Sequence, residues 1–362
     1  IGTLAPGQEA AVALRAEITT VAAARSLTIT AAGDTFGAEA SVSQSGPDPI
    51  AENNSLRYEI TIVRAADFIV DSYDDDGDAA PGDGRCRTVA EVCTLRAAVQ
   101  EANALAGTQS IALAYGVYLL NPPPTGPTTT VEPQPEDQAF TGDLDILDDV
   151  MIFGLSADNS IIHGNGEDRV FELHPGASLW LEDLMLTGGR PLFFGEGGAL
   201  YSHGNEATLV RTSIMGNASP GGGGGILHTA GSLLLEASTV MGNTAAGAGG
   251  GIHNAAAMEL RNVTLSGNRA QTGGALAGSQ GVARLENVTI TDNAASDAGG
   301  GISSPGDNVV AVNTIFQNND APIGPTCSNA FRSAGYNLID ELADCSVLGE
   351  TGTNIVGAGV DL

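Results

Sequence analysis

Lysine does not occur in the 362 residues; all 14 basic side chains are arginine, set against 43 Asp and Glu for a formal net charge of −29. A chain this acidic repels phosphate backbones, which argues against nucleic-acid partners. It is equally unsuited to docking on anionic lipid, but suited to salty water and to capturing divalent cations. Aromatic residues make up only 4 %, so a core has to be built from Leu, Ile, Val and Ala. No run of about 18 apolar residues occurs, so membrane insertion is not expected. The chain opens at Ile1 without Met or a signal peptide, as a processed chain or an excised piece would. Cysteine is scarce, with Cys86 close to Cys93 and Cys327 close to Cys345. Neither pair has metal-ligand spacing. Two disulfides and an exported, extracellular or cell-surface protein are expected. Glycine is abundant, at 49 residues, without the three-residue period of collagen.

Residues 1–64 read as short strands over 10–18, 26–31, 38–44 and 55–63, separated by Gly and Pro turns, the pattern of an antiparallel sandwich. An acidic loop follows, Asp71-Ser72-Tyr73-Asp74-Asp75-Asp76-Gly77-Asp78. One helix is predicted over 94–106. Thr94 caps it, Gly107 ends it, and Leu95, Val99, Ala102 and Leu105 form its apolar face.

The remainder is repetitive. Asn217, Asn243, Asn268, Asn293 and Asn318 recur at intervals of 26, 25, 25 and 25. Leu200, Ile226, Ile252, Leu276 and Ile302 form a second column after Gly-rich turns. Such a period, with short β-rich segments, predicts a β-solenoid of about 25 residues per coil. Three places before each Asn stand Ile214, Val240, Leu265, Ile290 and Ile315; eight places before stand Leu209, Leu235, Leu260, Leu285 and Val310. Both columns are expected to face the core. The hydroxyl column four places before, Ser213, Thr239, Thr264, Thr289 and Thr314, is expected to face out. The helix would then cover the first coil and protect its edge.

Two resemblances add to this reading. Gly2-Thr3-Leu4-Ala5-Pro6-Gly7-Gln8, Asp48-Pro49 and Asn53-Asn54-Ser55 resemble the C-terminal half of an Ig-like conserved-repeat domain of bacterial surface proteins. Cys93-Thr94-Leu95-Arg96-Ala97-Ala98 resembles the signature of the CSLREA domain, with Thr94 in place of Ser and Ala97 in place of Glu. Gly142-Asp143-Leu144-Asp145-Ile146 and the segment 333–339 also fit that family. The resemblance implies an exported, right-handed parallel β-helix. The expected organisation is an all-β chain: a partial Ig-like sandwich over 1–64; acidic loop, disulfide and capping α-helix over 65–107; and the parallel β-helix over 108–362.

Candidate sites follow from these columns. The Asn column reads as a structural ladder of inward amides. Glu236, Arg261 and Glu286 stack as an exposed Glu–Arg–Glu ladder rather than a pair of catalytic carboxylates. His203, His228 and His253 stand three, two and one places after their local Leu/Ile column, so their facing alternates and a three-His metal ladder is not expected. Asp74, Asp76 and Asp78 around Gly77 resemble part of a calcium loop, without the Glu that ends an EF-hand. Asp143 and Asp145, near Asp148 and Asp149, form a weaker calcium candidate.

The expected function is a non-catalytic extracellular structural or adhesive protein, an acidic rod that associates with itself or with other copies and domains of a surface protein. A filament assembled by strand complementation and end-to-end stacking is its sharper form. The competing classes are a β-helix polysaccharide lyase or hydrolase and a glycan-binding module. Lysine is absent, no Asp/Arg cluster recurs down one column, and Trp180 is the one Trp, so neither is preferred.

Overall fold

The computed structural model describes residues 27–31, 38–42, 66–120, 139–192, 195–278 and 280–357. The chain divides into two units, Ile1–Ala65 and Ala66–Leu362. In the first, strands Leu27–Ala31 and Ala38–Val42 pair antiparallel with Leu27 opposite Val42. The rest of the expected sandwich, including strands 10–18 and 55–63, lies outside the described residues.

The second unit is a parallel β-helix, as the repeat predicts. Successive coils lay short strands one upon the next, and among the described residues of this unit the strand pairs all run parallel. One sheet of ten strands takes a strand from each coil, from Gly116–Leu119 to Ile355–Val356. A larger sheet of 18 strands covers two further faces, and a four-stranded sheet lines the turns from Ala218–Ser219 to Ala294–Ala298. The core is the stack of inward aliphatics. Leu209, Leu235, Leu260 and Leu285 form one buried column, and Ile214, Val240, Leu265 and Ile290 another.

Both columns then slip by one residue. Ile290 pairs with Phe316, not Ile315, and Leu285 with Ala311, not Val310. Because side chains alternate, this one-residue shift exchanges inside for outside. Phe316 and Ala311 are buried in place of the expected pair. Thr314 accordingly leaves the hydroxyl column and is buried. Ser213, at the head of that column, is also mostly buried, and the three threonines between them are half-buried.

The helix runs Leu95–Ala104, and the Thr94 hydroxyl accepts from the Ala97 N–H at 3.0 Å. It ends at Leu105, whose extended backbone carries the chain away, two residues before Gly107. Its burial exceeds one apolar face, since Arg96, Gln100 and Glu101 are buried with Leu95, Val99 and Ala102. These polar side chains fasten the helix to the loops around it. Arg96 donates to the carbonyls of Ala139, Gly142 and Asp143 and pairs with Asp75 at 2.9 Å. Gln100 accepts from the Asp78 N–H and donates to the Ala139 carbonyl. Both disulfides are formed, Cys86–Cys93 beside the helix and Cys327–Cys345 between adjacent coils. They fit an oxidising compartment. No described helix is long and apolar enough to cross a membrane.

Candidate functional site

The asparagine column is a continuous buried hydrogen-bond ladder. Asn217 Nδ2 donates to Asn243 Oδ1 (3.0 Å), Asn243 Nδ2 to Asn268 Oδ1 (3.1 Å), and Asn268 Nδ2 to Asn293 Oδ1 (3.0 Å). Each amide also caps a carbonyl from the preceding strand, as Asn268 does for Val240. Its last rung corrects the expected column: Asn293 donates to Asn319, not Asn318. Asn318 belongs instead with Gly216, Gly242, Gly267 and Asp292, all in the left-handed region. That conformation favours Gly, Asn and Asp, so an Asn-Asn dipeptide hid the boundary between the two columns.

Among the described residues, Asp74, Asp76 and Asp78 are not a group whose carboxylate oxygens all lie within 4.8 Å of one another. Asp78 accepts from the backbone N–H groups of Ala80 and Arg87, and Asp74 from the Ser72 hydroxyl. Arg261 bonds mainly to Glu259 on its own strand at 2.8 Å, while Glu236 and Glu286 flank it in the neighbouring coils. The histidine spacing holds as read: His253 stacks over Leu227 and His228 beside Ser202 and Asn254, in different columns.

Asp143 and Asp145 do come together, in a cluster of mixed chemistry. Asp145 pairs in register with Glu172, and Glu172 with Tyr201. Ile146, Leu173 and Ser202 form the next, inward-facing column, which sets His174 and His203 one residue further along their strands. Period-two alternation puts all of these on one outer face. His174 Nε2 lies 2.7 Å from Asp145 Oδ1, and His203 Nε2 lies 3.0 Å from Glu172 Oε1. The His174 and His203 rings are 5.2 Å apart, and Tyr201 stacks on His203 at 4.5 Å. Arg169 pairs with Glu172 and with Asp143 and lies over the Tyr201 ring.

Two carboxylates, Asp143 and Glu172, thus pair with one guanidinium, and Asp145 and Asp168 lie close enough to act on Asp143 electrostatically. Burial pushes Asp143 well above the usual carboxylate range, and nearby Asp168 adds to the shift. Asp168 is itself raised, again chiefly by burial. Asp145 is fully buried and its second oxygen accepts from the Ala139 N–H at 2.8 Å. Asp148 and Asp149 are not part of the cluster; the Asp148 carboxylate accepts from the Asp149 N–H.

Sequence reasoning missed Glu172, His174 and Arg169. The signal was present as Asp145-x-Leu147, Glu172-x-His174 and Tyr201-x-His203, but these coils are spaced 27 and 29 residues apart. A search tuned to about 25 passes over them. No family model, curated protein or solved structure matches the chain.

Proposed function

We propose that this chain is a non-catalytic structural rod of the cell exterior, working by its stiffness and acidic surface. The observation that carries the proposal is the buried amide ladder from Asn217 to Asn319, which ties five successive coils together along the rod axis. Each rung satisfies donors and acceptors that would otherwise be buried without partners, so bending or slipping a coil costs hydrogen bonds as well as core contacts. The outer surface supports the same reading. Trp180, in strand Ser178–Glu182, is half-buried with its indole N–H toward Glu182, and is the one Trp in the chain. One hollow of about 540 Å³ lies beside Cys86–Cys93 and another of about 450 Å³ beside Thr244 and Arg269. Neither contains Glu172, His174 or His203, the residues best equipped for acid–base chemistry.

Negative-stain imaging of native extracellular material containing the chain, with and without EDTA, tests the proposal together with an assay on acidic and neutral polysaccharides. Rods or regular fibres without polysaccharide cleavage are expected, and fibres would identify the rod as a filament subunit. Cleavage abolished by Glu172→Gln would overturn the non-catalytic reading and establish a β-helix enzyme instead.

A further inference from the structure

We infer that Glu172, His174 and His203 form a binding site for a borderline transition-metal cation such as Zn²⁺ on the outer face of the early coils. One carboxylate oxygen and two imidazole nitrogens from these residues lie within 4.8 Å of one another. Two imidazoles and a carboxylate are a donor set matched to such a metal rather than to Ca²⁺, which prefers oxygen alone. Closing onto an ion at about 2.0–2.2 Å needs only small side-chain movements.

The backbone places these donors without loop flexibility. Glu172 lies in strand Phe171–Leu173, His174 follows that strand, and His203 follows Leu200–Ser202 in the next coil. The two strands are hydrogen-bonded neighbours in fixed register. Both imidazoles already aim Nε2 at carboxylates, His174 at Asp145 and His203 at Glu172. The metal takes the place of the Nε2 protons in those contacts, and Asp145 stands beside His174 as a further oxygen donor. Arg169 holds the other oxygen of Glu172, leaving Oε1 for the ion.

A second observation points the same way. The Asp143 side chain is more than nine-tenths buried, yet its Oδ2 accepts no hydrogen bond among the described residues. Arg169 Nε stands 3.3 Å from it as an ion-pair partner, without hydrogen-bond geometry. Carboxylate oxygens of Asp143, Asp145 and Glu172 also lie within 4.8 Å of one another. Carboxyl groups outnumber the one guanidinium in this patch, so their charge has to be balanced by protons or by a cation where water is scarce. A divalent cation supplies that balance.

The test uses the full chain without a histidine tag, stripped with EDTA and titrated with Co²⁺ and then Zn²⁺. One saturable Co²⁺ per chain is expected, with visible d–d absorption that Zn²⁺ displaces and millimolar Ca²⁺ or Mg²⁺ does not. His203→Gln is expected to weaken binding at least tenfold while its metal-free circular dichroism and Tm match the parent chain. His163→Gln, at the end of strand Ser160–His163 and outside the cluster, is expected to bind as the parent does. Absence of a saturable Co²⁺ spectrum would overturn the site. So would an unchanged spectrum in His203→Gln, or displacement by Ca²⁺ in proportion to concentration, the behaviour of a diffuse acidic surface.

Discussion

At the scale of single residues, the buried imidazoles away from the cluster carry a pH dependence with a definite sign. His228 has no exposed surface and is held by the Ser202 hydroxyl and the Ala257 carbonyl at 3.2 and 3.1 Å. Burial lowers its pKa, and burial also lowers that of His253 against the opposing pull of Glu196. The unfolded chain takes up these protons near the ordinary value of about 6.5, while the folded chain resists them. Their neutral forms are therefore accommodated in full above that value, and stability is lost as pH falls through it toward the lowered folded values. Each such group costs up to about 1.4 kcal/mol per pH unit in that window. The raised carboxyls of Asp143 and Asp168 act in the opposite sense, favouring the folded chain as pH falls, so a variant is needed to separate the two. His253 Nδ1 is buried without a hydrogen bond, and the next coil places Ala277 in the same column. His253→Ala is expected to leave Tm at pH 7.5 within a few degrees of the parent. It should also make the fall in Tm between pH 7.5 and 5.5 smaller. An equal or steeper fall, read by thermal melts at the two pH values, would refute the assignment. Which His is buried was not legible in the sequence, where the unequal offsets argued only against a three-His column. What surrounds each His depends on long-range register.

At the scale of elements, the coil is defined by columns that place one residue type at each special backbone position. The paired glycines of the turns show two different reasons for the same residue. Gly249 has a left-handed φ of +72°, which glycine adopts without strain. Gly250 lacks that φ; a Cβ there would lie 2.4 Å from the Gly274 carbonyl oxygen of the next coil. Most columns were readable from the sequence because apolar residues and glycines recur at nearly constant spacing. The final register was not, because a 26-residue coil carrying Asn318-Asn319 offers two candidates for one rung, and only packing of Phe316 and Ala311 decides between them. The helix was also readable from its cap and apolar face. Its buried Arg96 was not, because the partner carbonyls lie more than 40 residues away. The ladder supplies the element-scale prediction. Asn268→Ala leaves the Asn243 N–H, the Val240 carbonyl and Asn293 Oδ1 without this partner, and buried groups left unpaired cost about 1–3 kcal/mol each. A loss of about 3 kcal/mol or more is expected in denaturant unfolding. Asn318→Gly, at a left-handed position outside the ladder, is expected to change stability by less than about 0.5 kcal/mol. Equal effects of the two substitutions would return the ladder to Asn318.

At the scale of the whole molecule, a solenoid in which each coil touches only its neighbours should tolerate removal of one complete repeat. Residues 244–268 make such a unit. Thr244 pairs with Arg269, so deleting the segment joins Asn243 to a residue that already occupies the equivalent place. Ile226, which packs on Ile252, would then receive Leu276; Leu235 would receive Leu285 in place of Leu260; and Val240 would receive Ile290 in place of Leu265. The ladder closes from Asn243 to Asn293, and both disulfides and the Glu172–His174–His203 cluster lie outside the excision. The shortened chain is expected to fold, with a parallel-β circular dichroism signal, a Tm within a few degrees of the parent, and a longest dimension in solution scattering reduced by about 5 Å, one strand spacing. Removing only 244–255 takes away the strands Thr244–Ala245 and Ile252–Asn254 but keeps Ala257–Arg261 and Thr264–Ser266 of that coil. It should leave the inward columns unmatched and the protein unfolded or aggregated. Folding of the half-coil deletion together with failure of the whole-coil deletion would contradict the column register. A passive rod loses only length when a coil is excised, whereas an enzyme whose groove crossed these coils would lose its activity, so the same pair of variants also bears on what the molecule is for.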